Sequence, residues 1–152
     1  MSSILRISEA ASLALHSMAF LASDPERPVS TKEIASKLNI SEAHLSKVLQ
    51  RLTRVGLLKS TRGPKGGFVL GKPARDISLL DVYESIEGPM VPNECLLGKP
   101  VYAKDKCILG GLLEEVDKQV KQYLTKTALD KLEFAKCVRK EKNANSQENS
   151  QD

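Results

Sequence analysis

The run Thr61-Arg62-Gly63-Pro64-Lys65-Gly66-Gly67 constrains this chain more than any other feature. It lies between two short strand-like runs, Leu57-Leu58-Lys59-Ser60 and Phe68-Val69-Leu70. Glycines and a proline at these points predict a tight hairpin whose backbone can approach a ligand closely. Just before it, Leu45, Val48, Leu49, Leu52 and Val55 recur at spacings of three and four, and Gly56 follows them. That spacing predicts a helix with one buried side, ended by a residue that tolerates a left-handed backbone. A Gly-rich phosphate loop is excluded, because the run lacks the G-x-x-x-x-G-K-[ST] spacing and no helix pattern follows it.

The helix before the hairpin opens at Ser41, its cap, and carries His44, Ser46, Lys47, Gln50, Arg51 and Arg54 on its outer side. A shorter helix, Thr31 to Leu38, precedes it across Asn39-Ile40, with Ile34, Ala35 and Leu38 as its apolar stripe. Ser30 followed three residues later by Glu33 predicts a capping box at its start. Upstream, Ile4 to Leu21 has helical apolar spacing on a broad face, with Ser8-Glu9 as a suitable start and Pro25 and Pro28 in the loop beyond. Helix, turn, helix and basic-tipped hairpin in that order predict a winged helix-turn-helix.

Charge supports a polyanionic partner. Residues 1–75 carry 12 Lys or Arg against five acids, net +7, whereas the remainder is net −3. Lys47 to Arg75 holds eight basic side chains and no Asp or Glu. Each phosphate that such a surface neutralises releases condensed counterions, which favours binding. Lys47 suits guanine O6 and N7, and Ser41 or Ser46 suits either a base or a phosphate. Arg51, Arg54 and Lys65 read as phosphate clamps, and His44 as a DNA or phosphate contact. The absence of Trp and an aromatic content of 4% argue against a stacking platform for single strands.

Past the hairpin, Ile77 to Ile86 predicts a short amphipathic helix capped by Ser78 and ended by Gly88-Pro89. Residues 89–107 read as a loop. A longer helix begins around Cys107 to Gly111 and runs to about Leu124, with a stripe of Leu109, Leu112, Leu113, Val116, Val120 and Leu124. Ala128 to about Val138 adds a further piece, which suits either the chain's own core or a dimer contact. Residues 141–152 have no apolar side chain larger than Ala and are expected to be a disordered tail.

The fold class expected is therefore mainly α with a small β-hairpin wing. It divides into a winged helix-turn-helix over 1–75, a sensor loop and dimerisation helices over 76–140, and the tail over 141–152. No apolar run approaches ~20 residues, so no membrane span is expected. No export signal pattern opens the chain, so a cytoplasmic location is expected. His16 lies on a mostly apolar helix and His44 on the basic side. Neither has an evident triad partner, so no enzyme is expected. A non-regulatory nucleic-acid module is the alternative within binding proteins.

Several motifs together carry a family resemblance. They are Leu5-Arg6-Ile7-Ser8, Glu33-Ile34-Ala35, Leu49-x-x-Leu52-x-x-x-Gly56-Leu57 and Ser60-x-Arg62-Gly63-Pro64-x-Gly66-Gly67-Phe68-x-Leu70. With Ile77-Ser78-Leu79-x-Asp81-Val82 and Glu87-Gly88-Pro89, they resemble the Rrf-two-type winged-helix transcriptional regulators, the IscR, NsrR and CymR family. The resemblance spans roughly residues 4–136. It implies a homodimer with long C-terminal helices crossing between subunits, a palindromic double-stranded operator, and repression as the usual mode. It also implies that Ser41, Ala43, Ser46, Lys47 and Arg62 read DNA.

The same resemblance directs attention to the three cysteines, Cys95, Cys107 and Cys137. An odd count in a chain without an export signal argues against a disulfide framework. Cluster-binding members of the family carry C-x5-C-x5-C between the Glu-Gly-Pro element and the long helix. Cys95 and Cys107 match the first and third positions, but the middle one is Val101, and Gly110 stands where some members place a histidine. The resemblance thus implies an iron–sulfur cluster, of the 2Fe–2S kind, at Cys95 and Cys107. Its further ligands would come from the partner's first helix, at positions matching Ser12, Glu9 or His16. Four ligands are the norm for such clusters. Two other sensing modes stay open: a thiol switch, favoured by neighbouring Lys99, Lys104 and Lys106, and a protein or small-molecule effector. Cys137 reads as helix packing or a distant third thiol.

Overall fold

The computed structural model describes residues 7–92, 95–97 and 107–132. Expectations for residues 1–6, Val101, the three lysines beside it, Cys137 and the tail lie outside these.

Five helices and one hairpin make up the described chain: α1 (Glu9–Ala22), α2 (Thr31–Leu38), α3 (Glu42–Arg54), β1 (Leu58–Thr61), β2 (Gly67–Leu70), α4 (Leu79–Glu87) and α5 (Leu112–Lys126). Serine caps start four of the helices. Ser8 Oγ accepts from the Ala11 amide at 3.1 Å, Ser30 Oγ from Glu33 at 3.1 Å, Ser41 Oγ from His44 at 3.5 Å and Ser78 Oγ from Asp81 at 3.1 Å. Each satisfies an amide that the first helical turn leaves without a carbonyl partner.

The capping box at α2 is only half formed. Glu33 donates its amide to Ser30, but its carboxylate turns to Arg27, whose Nη1 and Nη2 donate at 3.1 and 2.6 Å. A two-pronged charged contact outcompetes one backbone amide for that carboxylate. The complete box is at α4, where Asp81 Oδ2 also accepts from the Ser78 amide at 2.8 Å.

Helix ends follow the backbone chemistry. Asn39, at φ 54°, ends α2 in the left-handed region, and Gly56, at φ 80°, does the same after α3. Strands β1 and β2 pair antiparallel, with Leu58 opposite Leu70 and Thr61 opposite Gly67. Val29 adds a two-way backbone bridge to Phe68, at 3.0 and 2.8 Å, which fastens the wing to the loop before α2.

One apolar core serves all these elements. Met18 and Leu21 of α1, Ile34 of α2, Leu45, Leu49 and Leu52 of α3, Leu58 of β1 and Val82 of α4 are all buried in it. Burying each large side chain contributes about 1.5–3 kcal/mol before entropy is counted. Leu129, in a 3-10 turn after α5, joins the same core and donates its amide to the Ile77 carbonyl at 2.9 Å. The piece from Ala128 therefore packs within its own chain as far as it is described. Helix α5 differs from the others. Leu124 is buried at 8% exposure, yet Leu112 is 56% exposed, and Leu113, Val116 and Val120 are only half-buried. The stripe that the sequence assigns to a packing surface is largely uncovered.

Candidate nucleic-acid interface and sensor loop

Because α3 turns every 3.6 residues, burying Leu45, Val48, Leu49 and Leu52 forces Ala43, Lys47, Gln50, Arg51 and Arg54 outward. Ser46 and His44 lie half-buried on its flanks, and Ser41 is exposed at its N-terminus. The positive end of the helix dipole and the first amides of α3 lie at the exposed Ser41 end of the same helix.

The wing sets Arg62 and Lys65 at an exposed tip. Gly63 there has φ 112°, and Gly66 donates its amide back to the Gly63 carbonyl at 2.9 Å. A Cβ on Gly66 would stand 2.4 Å from the Thr61 carbonyl oxygen, so the turn excludes other residues. Between α3 and the wing runs a cleft of about 350 Å³, bordered by Gln50, Thr53, Arg54, Ser60 and Phe68. Among the described residues, no ion pair engages Lys47, Arg54, Arg62 or Lys65. Their charge is free for an external anion.

Two other residues expected at this surface have partners inside the chain. His44 Nδ1 lies 3.5 Å from Glu9 Oε1, across from α1. Arg51 Nη2 donates to the Ile86 carbonyl at 2.8 Å and to that of Ser85 at 3.4 Å, at the C-terminal end of α4. Both links join residues some 35 positions apart, and no local pattern announces them.

The end of α4 is also where the cysteine loop begins. Glu84 Oε1 accepts from the Met90 amide at 2.9 Å, Lys121 Nζ donates to the Met90 carbonyl at 3.4 Å, and Ser8 Oγ donates to the Glu87 carboxylate. Tyr83 beside them has its phenol pKa pushed up, by burial first and then by the charges of Glu87 and Asp117. Cys95 and Cys107 are free thiols, each half-buried. The Cys107 carbonyl accepts from the Gly110 amide at 2.9 Å, and Gly110 holds φ 55°. That turn delays α5 to Leu112, later than the apolar pattern alone suggests.

An iron–sulfur cluster normally takes four ligands, most often thiolates. Cys95 and Cys107 supply two thiols, Gly110 supplies none, and Glu9 is drawn to His44. His16 places Nδ1 2.7 Å from the Ser12 carbonyl, which fixes the ring with Nε2 on the outer side. Among the described residues, no three His, Cys, Asp or Glu side chains converge. The described part of one chain does not fit a four-ligand cluster.

The sequence model of the Rrf2 family, whose description reads iron-dependent transcriptional regulator, matches residues 7–133. The chain belongs to the Rrf2 family. Its fold is similar to that of CymR (YrzC), the global cysteine regulator of Bacillus subtilis, with a TM-score of 0.71 and 35% identity over 84% of this chain and 95% of that one. IscR of T. potens gives a TM-score of 0.67 with 28% identity, covering 87% of this chain and 89% of its own. YwgB of B. subtilis is 34% identical over 91 residues, which is 59% of this chain and 58% of YwgB. The architecture is the winged helix of this family, mainly α with a two-stranded wing. As an Rrf2 chain it is a DNA-binding transcriptional regulator and not an enzyme. Among the described residues, no helix is long and apolar enough to cross a membrane.

Proposed function

We propose that this Rrf2 chain works as a homodimer that represses transcription from a palindromic operator, with DNA affinity set by chemistry at Cys95 and Cys107. The observation that carries the DNA half is the basic outer surface of α3 and the wing, free of acids from Lys47 to Arg75, with Lys47, Arg54, Arg62 and Lys65 in no ion pair among the described residues. Ser41, Ala43, Ser46 and Lys47 enter the major groove, and Arg62 reaches the adjacent minor groove, while Arg54 and Lys65 hold phosphates. The dimer reading is supported by an apolar groove of about 790 Å³ along α5, lined by Leu112, Leu113, Val116 and Val120 with Ile7 and Tyr83. A groove this apolar on a charged chain suits a second copy of α5.

For the signal, the family's iron-dependent description supports an iron centre, which we read from the cysteine spacing as a 2Fe–2S cluster with Cys95 and Cys107 among its ligands. The remaining ligands would have to come from outside the described part of the chain, with Ser12, Glu9 and His16 of the partner subunit as the sequence-based candidates. The two-thiol donor set favours a second reading, cluster-free thiol chemistry or an effector. Visible absorbance with iron and sulfide analysis of protein purified without oxygen separates them. Colour with stoichiometric iron and sulfide, lost in Cys95→Ala, supports the cluster. Colourless, iron-free protein from iron-replete cells supports the second reading.

A further inference from the structure

We infer that Arg51 is a positioning residue that ties the recognition helix α3 to the root of the cysteine loop, and is not a phosphate clamp. This rests on the reading of α3 as the DNA-contacting helix and of the cysteines as the responsive site.

The last turn of α4 leaves carbonyls with no amide partners within the helix. Arg51 Nη2 donates to two of them, Ser85 and Ile86, at 3.4 and 2.8 Å. A cation there also complements the negative end of the helix dipole. Nη2 of the guanidinium is thereby tied to α4, although Arg51 lies on the same exposed side of α3 as Lys47, one helical turn earlier. Four residues beyond Ile86, Met90 is held on both sides of its peptide chain, by Glu84 at its amide and Lys121 at its carbonyl. Cys95 follows five residues later. A change in the loop that pulls Met90 acts on the end of α4, and Arg51 transmits that movement to α3. Both bonds come from Nη2, at the far end of the side chain, and the shorter lysine does not place its ammonium at that point.

The test uses the full-length protein and a duplex selected by it from a random-sequence pool. Two quantities are read: the slope of log affinity against log salt, and the rate at which iodoacetamide alkylates Cys95, resolved by mass spectrometry, with and without the duplex. Binding and loop state are linked reciprocally, so in the wild type the duplex changes the alkylation rate, by about fivefold or more. In Arg51→Ala and Arg51→Lys this ratio falls to about one, while the salt slope stays at the wild-type value. A clamp predicts the reverse: a slope smaller by about 1.8 in Arg51→Ala, about 0.9 from each subunit of the dimer, restored in Arg51→Lys, with the ratio intact. That result overturns the inference, as does a wild-type alkylation rate indifferent to the duplex. Glu84→Ala, which frees Met90 without touching α3, also loses the ratio and keeps the slope, so the idea remains testable if the Arg51 variants fold poorly. A retained ratio in Glu84→Ala counts against it. Failure of the wild type to select any duplex overturns the functional reading instead.

Discussion

At Gly67 the backbone sits at φ 155°, and an added Cβ would stand 2.5 Å from the Val29 carbonyl oxygen. That carbonyl accepts the Phe68 amide in the bridge that fastens the wing, so there is no room to shift. Gly67→Ala is expected to cost about 1–3 kcal/mol and to lower the thermal midpoint; an unchanged midpoint would show that the wing adapts. Arg62 tests recognition itself. If it enters a narrow minor groove, where negative potential is enhanced, Arg62→Ala weakens binding to the selected duplex more than binding to random DNA. Equal losses on both would reduce Arg62 to a phosphate contact.

The elements divide into those whose ends are written locally and those that depend on distant partners. Ser8, Ser30, Ser41 and Ser78 each act within three residues, so the starts of α1 to α4 were legible in the sequence. Ser78→Ala removes half of the complete box at α4 and is expected to cost about 1 kcal/mol, measured by denaturant unfolding, whereas no change would mean that packing alone sets α4. What was not legible came from competition across the fold. Glu33 belongs to a good box pattern, but Arg27, six residues earlier, takes its carboxylate. The apolar stripe begins at Leu109, but Gly110 in the left-handed region and Gly111 after it hold a turn that postpones α5. The links of His44 to Glu9 and of Arg51 to α4 arise only when α1 and α4 pack beside α3, which no spacing rule encodes.

For the whole molecule, the small net charge of +4 conceals two surfaces with different tasks. The basic one stays open to solvent along α3 and the wing, and the apolar one stays open along α5. Val116 stands on that second surface, half-buried within one chain. Val116→Glu is expected to yield folded monomers in sedimentation, with far-UV spectra unchanged and operator affinity lowered by at least about tenfold, because two linked half-sites gain affinity from their connection. Dimers of undiminished affinity would move the interface elsewhere. The root of the cysteine loop at Met90 contacts α5 and also α4, which Arg51 of α3 in turn holds. The most direct test of this account is operator affinity measured for protein purified without oxygen and again after exposure to air, in the wild type and in the double variant Cys95→Ala/Cys107→Ala. A change of about fivefold or more is expected in the wild type and none in the double variant. Equal affinities in the wild type, or the same response in the variant, would contradict it.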